Sequence, residues 1–339
     1  MSLMLDEARN APERIRGQLP RNAAILADLG ERLRRDPPLA AVTVARGSSD
    51  HAASYFAYLC MQSRGIPVAS LPLSLTTLAS APWRLEGQLA LAVSQSGQSP
   101  DLVATQRALG EAGACALALV NTPESPLGAV SDLEVPLYAG DEKSVAATKS
   151  YLATLAAAAQ LLGHWNRDRD LLAALEALPE RLSQALAQDW SAAVEALAGS
   201  DRLMVIGRGA GLAVAQEAAL KFKETCAIQA EAFSGAEVRH GPMALIDPGY
   251  PVLVFAPPGA EQAGLLDLAE WLKSIGARVL LAADERVAGR QLTLVDADHD
   301  ALQPLSVIQS FYVMVANLAA ARGSDPDRPR HLNKVTCTL

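Results

Sequence analysis

Leu89-Ala90-Leu91-Ala92-Val93-Ser94-Gln95-Ser96-Gly97-Gln98-Ser99-Pro100-Asp101 joins an unbroken apolar run to a hydroxyl-rich turn and a proline. An apolar run without polar alternation suits a strand buried on both faces, as in a parallel sheet covered by helices. Pro100 at a first helical position and Ser99 just before it mark the start of a helix. Three hydroxyls, on Ser94, Ser96 and Ser99, therefore sit where a buried strand opens into a helix. The first-turn N–H groups of a helix lack internal partners, the helix dipole is positive there, and short hydroxyl side chains leave room for an anion. The segment reads as a phosphate site. An ordinary Ser-Pro cap on a helix that binds nothing has the same residues.

Working outward, Val42-Thr43-Val44-Ala45 reads as a short β-branched strand, broken by Arg46-Gly47-Ser48-Ser49-Asp50 before a helix-like segment from His51 to Met61. In a parallel α/β sheet the turns at the carboxyl ends of the strands share one edge, where ligands bind. Two hydroxyl-bearing turns can then converge on one phosphate.

Strand-like runs alternate with amphipathic helices twice along the 339 residues, near 40–46, 67–71, 88–94, 114–120 and 133–138, then near 203–207, 251–257, 277–282 and 291–295. The alternation predicts an α/β fold of two tandem doubly wound parallel sheets, flavodoxin-like or Rossmann-like. Arg46-Gly47 aligns with Arg208-Gly209 and Gly97 with Gly259 at one offset of 162 residues, which points to an internal duplication. Solenoid repeats are about 20–50 residues long, so this period means domains. The second copy has Ala256-Pro257-Pro258-Gly259 where the first has Ser94-Gln95-Ser96-Gly97, so the phosphate site is assigned to the first. The expected organisation is a helical segment over 1–35, a first domain over 36–165, a helical connector over 166–198 packed on both domains, a second domain over 199–323 and a tail over 324–339. The connector carries Leu172, Leu175, Leu178, Leu182 and Leu186 at helical spacing, and the tail opens on Ser324-Asp325-Pro326-Asp327-Arg328-Pro329-Arg330, which suits no regular element.

A formal charge of −8 and the lack of a basic run or aromatic-basic cluster exclude nucleic acid as the expected partner. Cys60, Cys115, Cys226 and Cys337 are scattered without a CxxC and read as reduced, mostly structural thiols of a cytoplasmic protein. The charged residues between Met1 and Gln18 do not suit a signal peptide, and Tyr151 to Trp165, interrupted by Thr154, Gln160 and His164, reads as a buried helix rather than a membrane span.

After the strand-like Leu203 to Ile206 comes a helix holding Glu217, Lys221 and Glu224, whose spacings of four and three put them on one face. Helix periodicity alone fits a solvated Glu-Lys ladder. The neighbours Ala218, Ala219, Leu220, Phe222, Thr225 and Cys226 leave little polar surface, and a carboxylate and an amine held together in a cleft suit proton transfer. His240, before Gly241-Pro242, can be aimed by a rigid turn and titrates near neutrality, or it is a satisfied structural histidine. His164 and His299 read as exposed, His331 belongs to the tail, and His51 reads as a helix-start or cleft-rim residue rather than a catalyst.

The chain resembles the sugar-isomerase (SIS) superfamily through Arg46-Gly47-Ser48-Ser49, Ser94 to Ser99, Ser144-Val145-Ala146-Ala147-Thr148-Lys149, Glu217 to Glu224, Ala230-Glu231-Ala232 with Glu237-Val238-Arg239-His240-Gly241-Pro242, and Lys334-Val335-Thr336. Within it, the chain is similar to the isomerase half of glutamine-fructose-6-phosphate aminotransferase and to stand-alone aminosugar-phosphate deaminases. The resemblance implies that Gly47, Ser48, Ser49, Ser94, Gln95, Ser96 and Ser99 hold a sugar phosphate, with Val145 and Ala147 lining its hydroxyl side. It implies that Glu224 moves a proton between C1 and C2 with Lys221 assisting, and that His240, from the partner subunit of a homodimer, opens the ring. Lys334 would form or support a Schiff base at the carbonyl. An aldose-ketose shift needs one base near both carbons, and no metal or redox cofactor.

The sequence departs from the synthase pattern. Its isomerase-like motifs begin within the first fifty residues, Gln229 stands in place of a histidine, and Arg46 replaces a small residue before Gly47. Ammonia from glutamine is therefore not expected of this chain alone. The expected reaction is conversion of glucosamine 6-phosphate and water to fructose 6-phosphate and ammonia. Its rivals are deglycation of a fructosamine phosphate, an isomerase subunit fed by a separate glutaminase, and a phosphosugar-sensing module without turnover. Retention of Glu224, His240 and Lys334 together favours an enzyme.

Overall fold

The computed structural model describes residues 2–334, so Val335, Thr336 and Cys337 lie outside the described residues. A long helix, α1 (Leu3–Arg35), precedes a sheet of β1 (Ala41–Val44), β2 (Val68–Ser70), β3 (Leu89–Ser94), β4 (Cys115–Val120) and β5 (Leu133–Pro136). Its helices are α2 (Ser48–Arg64), α3 (Ser74–Thr77), α4 (Pro100–Glu111), α5 (Pro126–Ala129) and α6 (Lys149–Asn166). The strand order is β2-β1-β3-β4-β5 and every pair is parallel, with Val42 opposite Ala90 and Val93 opposite Leu119. All six residues of β3 are buried, which accounts for its uninterrupted apolar sequence. Its core includes Val42, Val44, Ala90, Ala92, Leu102, Leu109 and Val120. In this order the chain reverses direction across the sheet between β1 and β3, and the crevice beyond their carboxyl ends is the place such sheets bind ligands.

The second sheet follows α7 (Arg169–Leu186) and α8 (Ser191–Leu197). It comprises β6 (Arg202–Gly207), β7 (Gln229–Ser234), β8 (Pro251–Ala256), β9 (Arg278–Asp284) and β10 (Leu292–Leu294), with α9 (Gly211–Cys226), α10 (Gln262–Ser274) and α11 (Gln303–Ala321). Read from the other edge its order is β7-β6-β8-β9-β10, all parallel, the arrangement of the first sheet repeated. Met204, Ile206, Val252, Val254, Leu265, Leu268 and Leu281 fill its core. The described chain divides into two compact units, residues 2–12, 143–148 and 177–332 with the second sheet, and residues 13–142, 149–176 and 333–334 with the first.

The structure corrects the sequence reading in this half, where four strands are expected and five are found. β7 is an edge strand whose Gln229 and Glu231 are exposed, so it lacks the apolar run by which its neighbours are recognised. The reading of Tyr151 to Trp165 as a buried helix holds. Asp300–Ala321 is the one described helical stretch long and apolar enough to span a membrane, and 78% of its most apolar part is buried. Phe311 of α11 packs edge-on against Phe222 of α9, with ring centroids 5.1 Å apart, as befits a core helix.

Candidate functional site

At the carboxyl end of β3 the buried Ser94 hydroxyl accepts the N–H of Gly97 at 2.9 Å and folds the chain into a tight loop. Gly97 has φ +65°, and a Cβ there would overlap the Ser125 side chain, so glycine is required. The Ser96 hydroxyl accepts the N–H of Gln98 at 3.3 Å. Ser99 is the N-cap of α4 with Pro100 in the first turn, yet its side chain makes no capping bond. Its backbone fits the ordinary cap while its hydroxyl is not spent on one.

Ser94, Ser96 and Ser99 line a cavity of about 290 Å³ together with Arg46, Gly47 and Ser49 from the turn after β1, Gln95, Val93, Leu102 and Lys334. The two hydroxyl-bearing turns thus meet. Ser48 is the first residue of α2 and is not part of the lining. Arg46 is fixed by Asp101, whose Oδ2 accepts from Nε at 3.0 Å and Nη2 at 2.8 Å, and Asp101 is buried in the first turn of α4. Lys334 donates to Oε2 of the buried Glu142 at 3.1 Å. Val145 and Ala147 are half-buried on the 143–148 segment and do not line this cavity; the Val145 N–H donates to the Asp327 carbonyl at 3.3 Å.

In the unit of the second sheet, α9 carries a buried ion triad. Lys221 Nζ lies 2.6 Å from Glu224 Oε2 and 3.1 Å from Glu217 Oε1, with side-chain exposures of 1% for Lys221, 0% for Glu217 and 17% for Glu224. The Tyr312 hydroxyl donates to Glu217 Oε1 at 3.2 Å. This is no solvated ladder. Burial pulls the Lys221 amine down, but the two carboxylates outweigh it and hold the amine above the ordinary lysine range. Lys221 is therefore a fixed cation, and Glu224 is the member of the triad with solvent access.

The SIS domain pattern matches residues 40–163 and 196–300. The chain belongs to the SIS domain family. A glutamine-fructose-6-phosphate aminotransferase (isomerizing) from Symbiobacterium thermophilum is 34% identical over 309 residues, covering 86% of this chain and 50% of that protein. One from Thermococcus kodakarensis is 30% identical over 354 residues, covering 98% of this chain and 57% of that protein. The chain spans about half the length of the curated relatives it matches. Among solved structures, a Silicibacter pomeroyi protein provisionally described as a phosphosugar isomerase superposes with TM-score 0.91 at 43% identity, covering 96% of this chain and all (100%) of that one. The glucosamine-6-phosphate deaminase of Thermotoga maritima shares the fold, with TM-score 0.78 at 20% identity over 99% of this chain and 100% of that one.

Other residues of this SIS chain are placed as follows. His240 is exposed at the end of a short 3₁₀ turn, Glu237–Arg239, before Gly241 with φ +132°, and Glu231 and Glu237 are also exposed. His51 is half-buried in the first turn of α2. His164 and His299 are half-buried rather than exposed: burial and Arg34 lower the His164 pKa, and His299 accepts the Ala301 N–H at 3.1 Å. Burial pushes the Cys60 and Cys226 thiols up to about 11, which makes them inert. Cys115, also raised by burial, accepts from Arg32 at 2.8 Å. Sequence reasoning missed the role of Asp101, which it met only as the end of the Leu89–Asp101 stretch, and missed Glu142 and Tyr312 altogether.

Proposed function

We propose that the protein is an aminosugar-phosphate deaminase and ketol isomerase, which converts glucosamine 6-phosphate and water to fructose 6-phosphate and ammonia. The observation that carries this reading is a primary amine, Lys334, lining the same cavity as Ser49, Ser94, Gln95, Ser96 and Ser99. The serine turns and the α4 N-terminus suit the phosphate, and the amine suits carbonyl and imine chemistry. The family resemblance assigns Val145 and Ala147 to the sugar hydroxyls, although they lie outside the lining of this cavity.

His240, from the partner of a homodimer, opens the sugar ring. Glu224 takes the proton from C2 of the open aldose and returns it to C1, which turns the C1 aldehyde into an alcohol and the C2 amine into an imine. Lys221, kept cationic by its two carboxylates, steadies the negative charge that develops on the neighbouring oxygen. The Lys334 amine replaces ammonia at C2, and water then releases the ketone. The names of the relatives, together with the shared SIS motifs, support a phosphosugar substrate. A second reading, an isomerase supplied with ammonia by a separate glutaminase, draws on the 30–34% identity to aminotransferases.

The test is an ammonia-release screen of the purified protein over glucosamine, galactosamine and fructosamine phosphates, with fructose 6-phosphate plus ammonium salt as the reverse reaction. Stoichiometric ammonia and fructose 6-phosphate from glucosamine 6-phosphate, lost in Lys334→Ala, is the expected result. Release from fructosamine phosphates alone contradicts it in favour of a deglycase. Turnover only of fructose 6-phosphate with ammonium supports the second reading, and binding without turnover a sensor.

A further inference from the structure

The Glu142 side chain is fully withdrawn from solvent, and three donors within its own unit converge on it. The Ser150 N–H donates to Oε1 at 3.1 Å, the Ser150 hydroxyl to Oε2 at 2.6 Å, and the Lys334 ammonium to Oε2 at 3.1 Å. Ser150 is the second residue of α6, so the carboxylate also meets the positive end of that helix. Lys149, the residue before it, donates through Nζ to the Asp141 carbonyl and ties down the turn that presents Glu142. The two Ser150 bonds link residues 8 apart and form with the local turn, whereas the bond to Lys334 spans 192 residues. Glu142 is thus a preset acceptor to which the tail is brought.

An exposed pair of this kind would contribute little. Here the carboxylate is dry, its attraction for the ammonium is weakly screened, and leaving it without the cation is costly. The amine held in this way lines the serine cavity.

We propose that Glu142 is the positioning residue for Lys334. It holds the amine at the cavity, receives the proton the ammonium must shed before its nitrogen attacks, and keeps the one N–H that survives in the iminium. This inference rests on the reading of Lys334 as the imine-forming residue. In the step itself the Lys334 lone pair forms a bond to C2 of the protonated substrate imine, a proton passes to the original nitrogen, and that nitrogen leaves as ammonia while the C2=N bond to Lys334 forms. Water then adds to C2 and the C–N bond breaks, which returns the amine and leaves the ketone. The proton held by Glu142 leaves with ammonia as ammonium. No oxidant or reductant is consumed.

The test uses the whole protein with fructose 6-phosphate and borohydride, which reduces a Lys334 imine to a stable adduct located by peptide mass. In wild type the adduct is expected on Lys334. In Glu142→Gln, which keeps the shape and removes the charge, labelling is expected to slow at least tenfold while the affinity for inorganic phosphate stays within twofold. Glu142→Asp, which keeps a buried charge on a shorter arm, should label at an intermediate rate, and it serves alone if Glu142→Gln does not fold. Wild-type labelling in the variants overturns the role of Glu142 and leaves that of Lys334 standing. Parallel loss of phosphate affinity and labelling also overturns it, as a merely structural effect. A wild-type protein with no adduct on Lys334 overturns the functional reading and this inference together.

Discussion

Helices α2 and α9 occupy the same place in two copies of one fold, yet they bury opposite chemistry. At the offset of 162 residues, β3 and α4 recur as β8 and α10, and Glu217, Lys221 and Glu224 of α9 answer to Tyr55, Leu59 and Gln62 of α2. Tyr55 and Leu59 are buried, and so are Glu217 and Lys221. The fold is therefore satisfied by an aromatic and an aliphatic side chain where α9 has two ions. Dry ion pairs are costly to desolvate and are often matched or bettered in stability by apolar side chains, so the triad is best explained by what it does. The turns differ in the opposite sense. At the end of β3 stand Ser94, Gln95 and Ser96; at the end of β8 stand Ala256, Pro257 and Pro258, with fewer hydroxyls and N–H donors. One copy pairs a hydroxyl-rich turn with a helix that buries Tyr55 and Leu59, and the other pairs a buried ion triad with a turn that has fewer donors.

The largest effect expected from this contrast is on stability. Lys221→Met leaves Glu217 buried without its cation and should cost about 3–5 kcal/mol in urea unfolding, whereas Leu59→Met at the matching position should cost under about 1.5 kcal/mol. Equal small losses at both positions would mean that the triad is hydrated and the contrast empty. Next comes chemistry. Glu224→Gln retains the shape and removes the base, so exchange of the substrate C2 proton with solvent, followed by NMR, should fall at least about a hundredfold; near-normal exchange would transfer the role to Glu231 or Glu237. Mixing Glu224→Gln with His240→Ala sharpens this, because a site shared between subunits regains activity in mixed dimers. Mixed dimers confirmed by mass and still inactive would refute the sharing of His240.

The smallest effect is alkaline. Among the described residues each unit has one fully buried thiol, Cys60 or Cys226, pushed up to about 11 by burial. The folded state favours the neutral thiol, so this contribution is complete below the ordinary thiol pKa of about 8.5 and declines as pH rises toward the folded value. At pH 9 the loss should stay under about 1 kcal/mol per thiol, and thermal unfolding of the Cys60→Ala, Cys226→Ala double variant should show a flatter dependence between pH 8.5 and 11. The Lys221 amine, also raised, adds its own loss only above the ordinary lysine value of about 10.4. An unchanged slope in the double variant would contradict burial of both thiols.

Continuous apolar runs such as Leu89 to Val93 have few other uses than a strand buried on both faces, and the partly exposed edge strand β2 was legible as well. β7 escaped this test as an exposed-edge strand, although the repeat itself would have located it: β2 at Val68–Ser70 maps onto 230–232. The hydroxyl-bearing turns and the Glu-Lys-Glu spacing were legible because their geometry is local to one turn or one helix face. Glu142 was not. Its bond to Lys334 crosses 192 residues, and nothing in Asp141-Glu142-Lys143 distinguishes a buried acceptor from a surface loop. Asp101, which pins Arg46 from 55 residues away, and Tyr312, 95 residues from Glu217, were hidden for the same reason.

The central claim is that binding resides in the serine turns and proton transfer in the α9 triad. Its most direct test is calorimetric titration of fructose 6-phosphate into the Ser96→Ala and Glu224→Gln variants. Removal of a charge-assisted hydrogen bond to phosphate, roughly 1.5–3 kcal/mol, predicts binding weakened about ten- to hundredfold in Ser96→Ala, with the affinity of Glu224→Gln unchanged within about threefold. Wild-type affinity in Ser96→Ala, or a comparable loss in both variants, would contradict it.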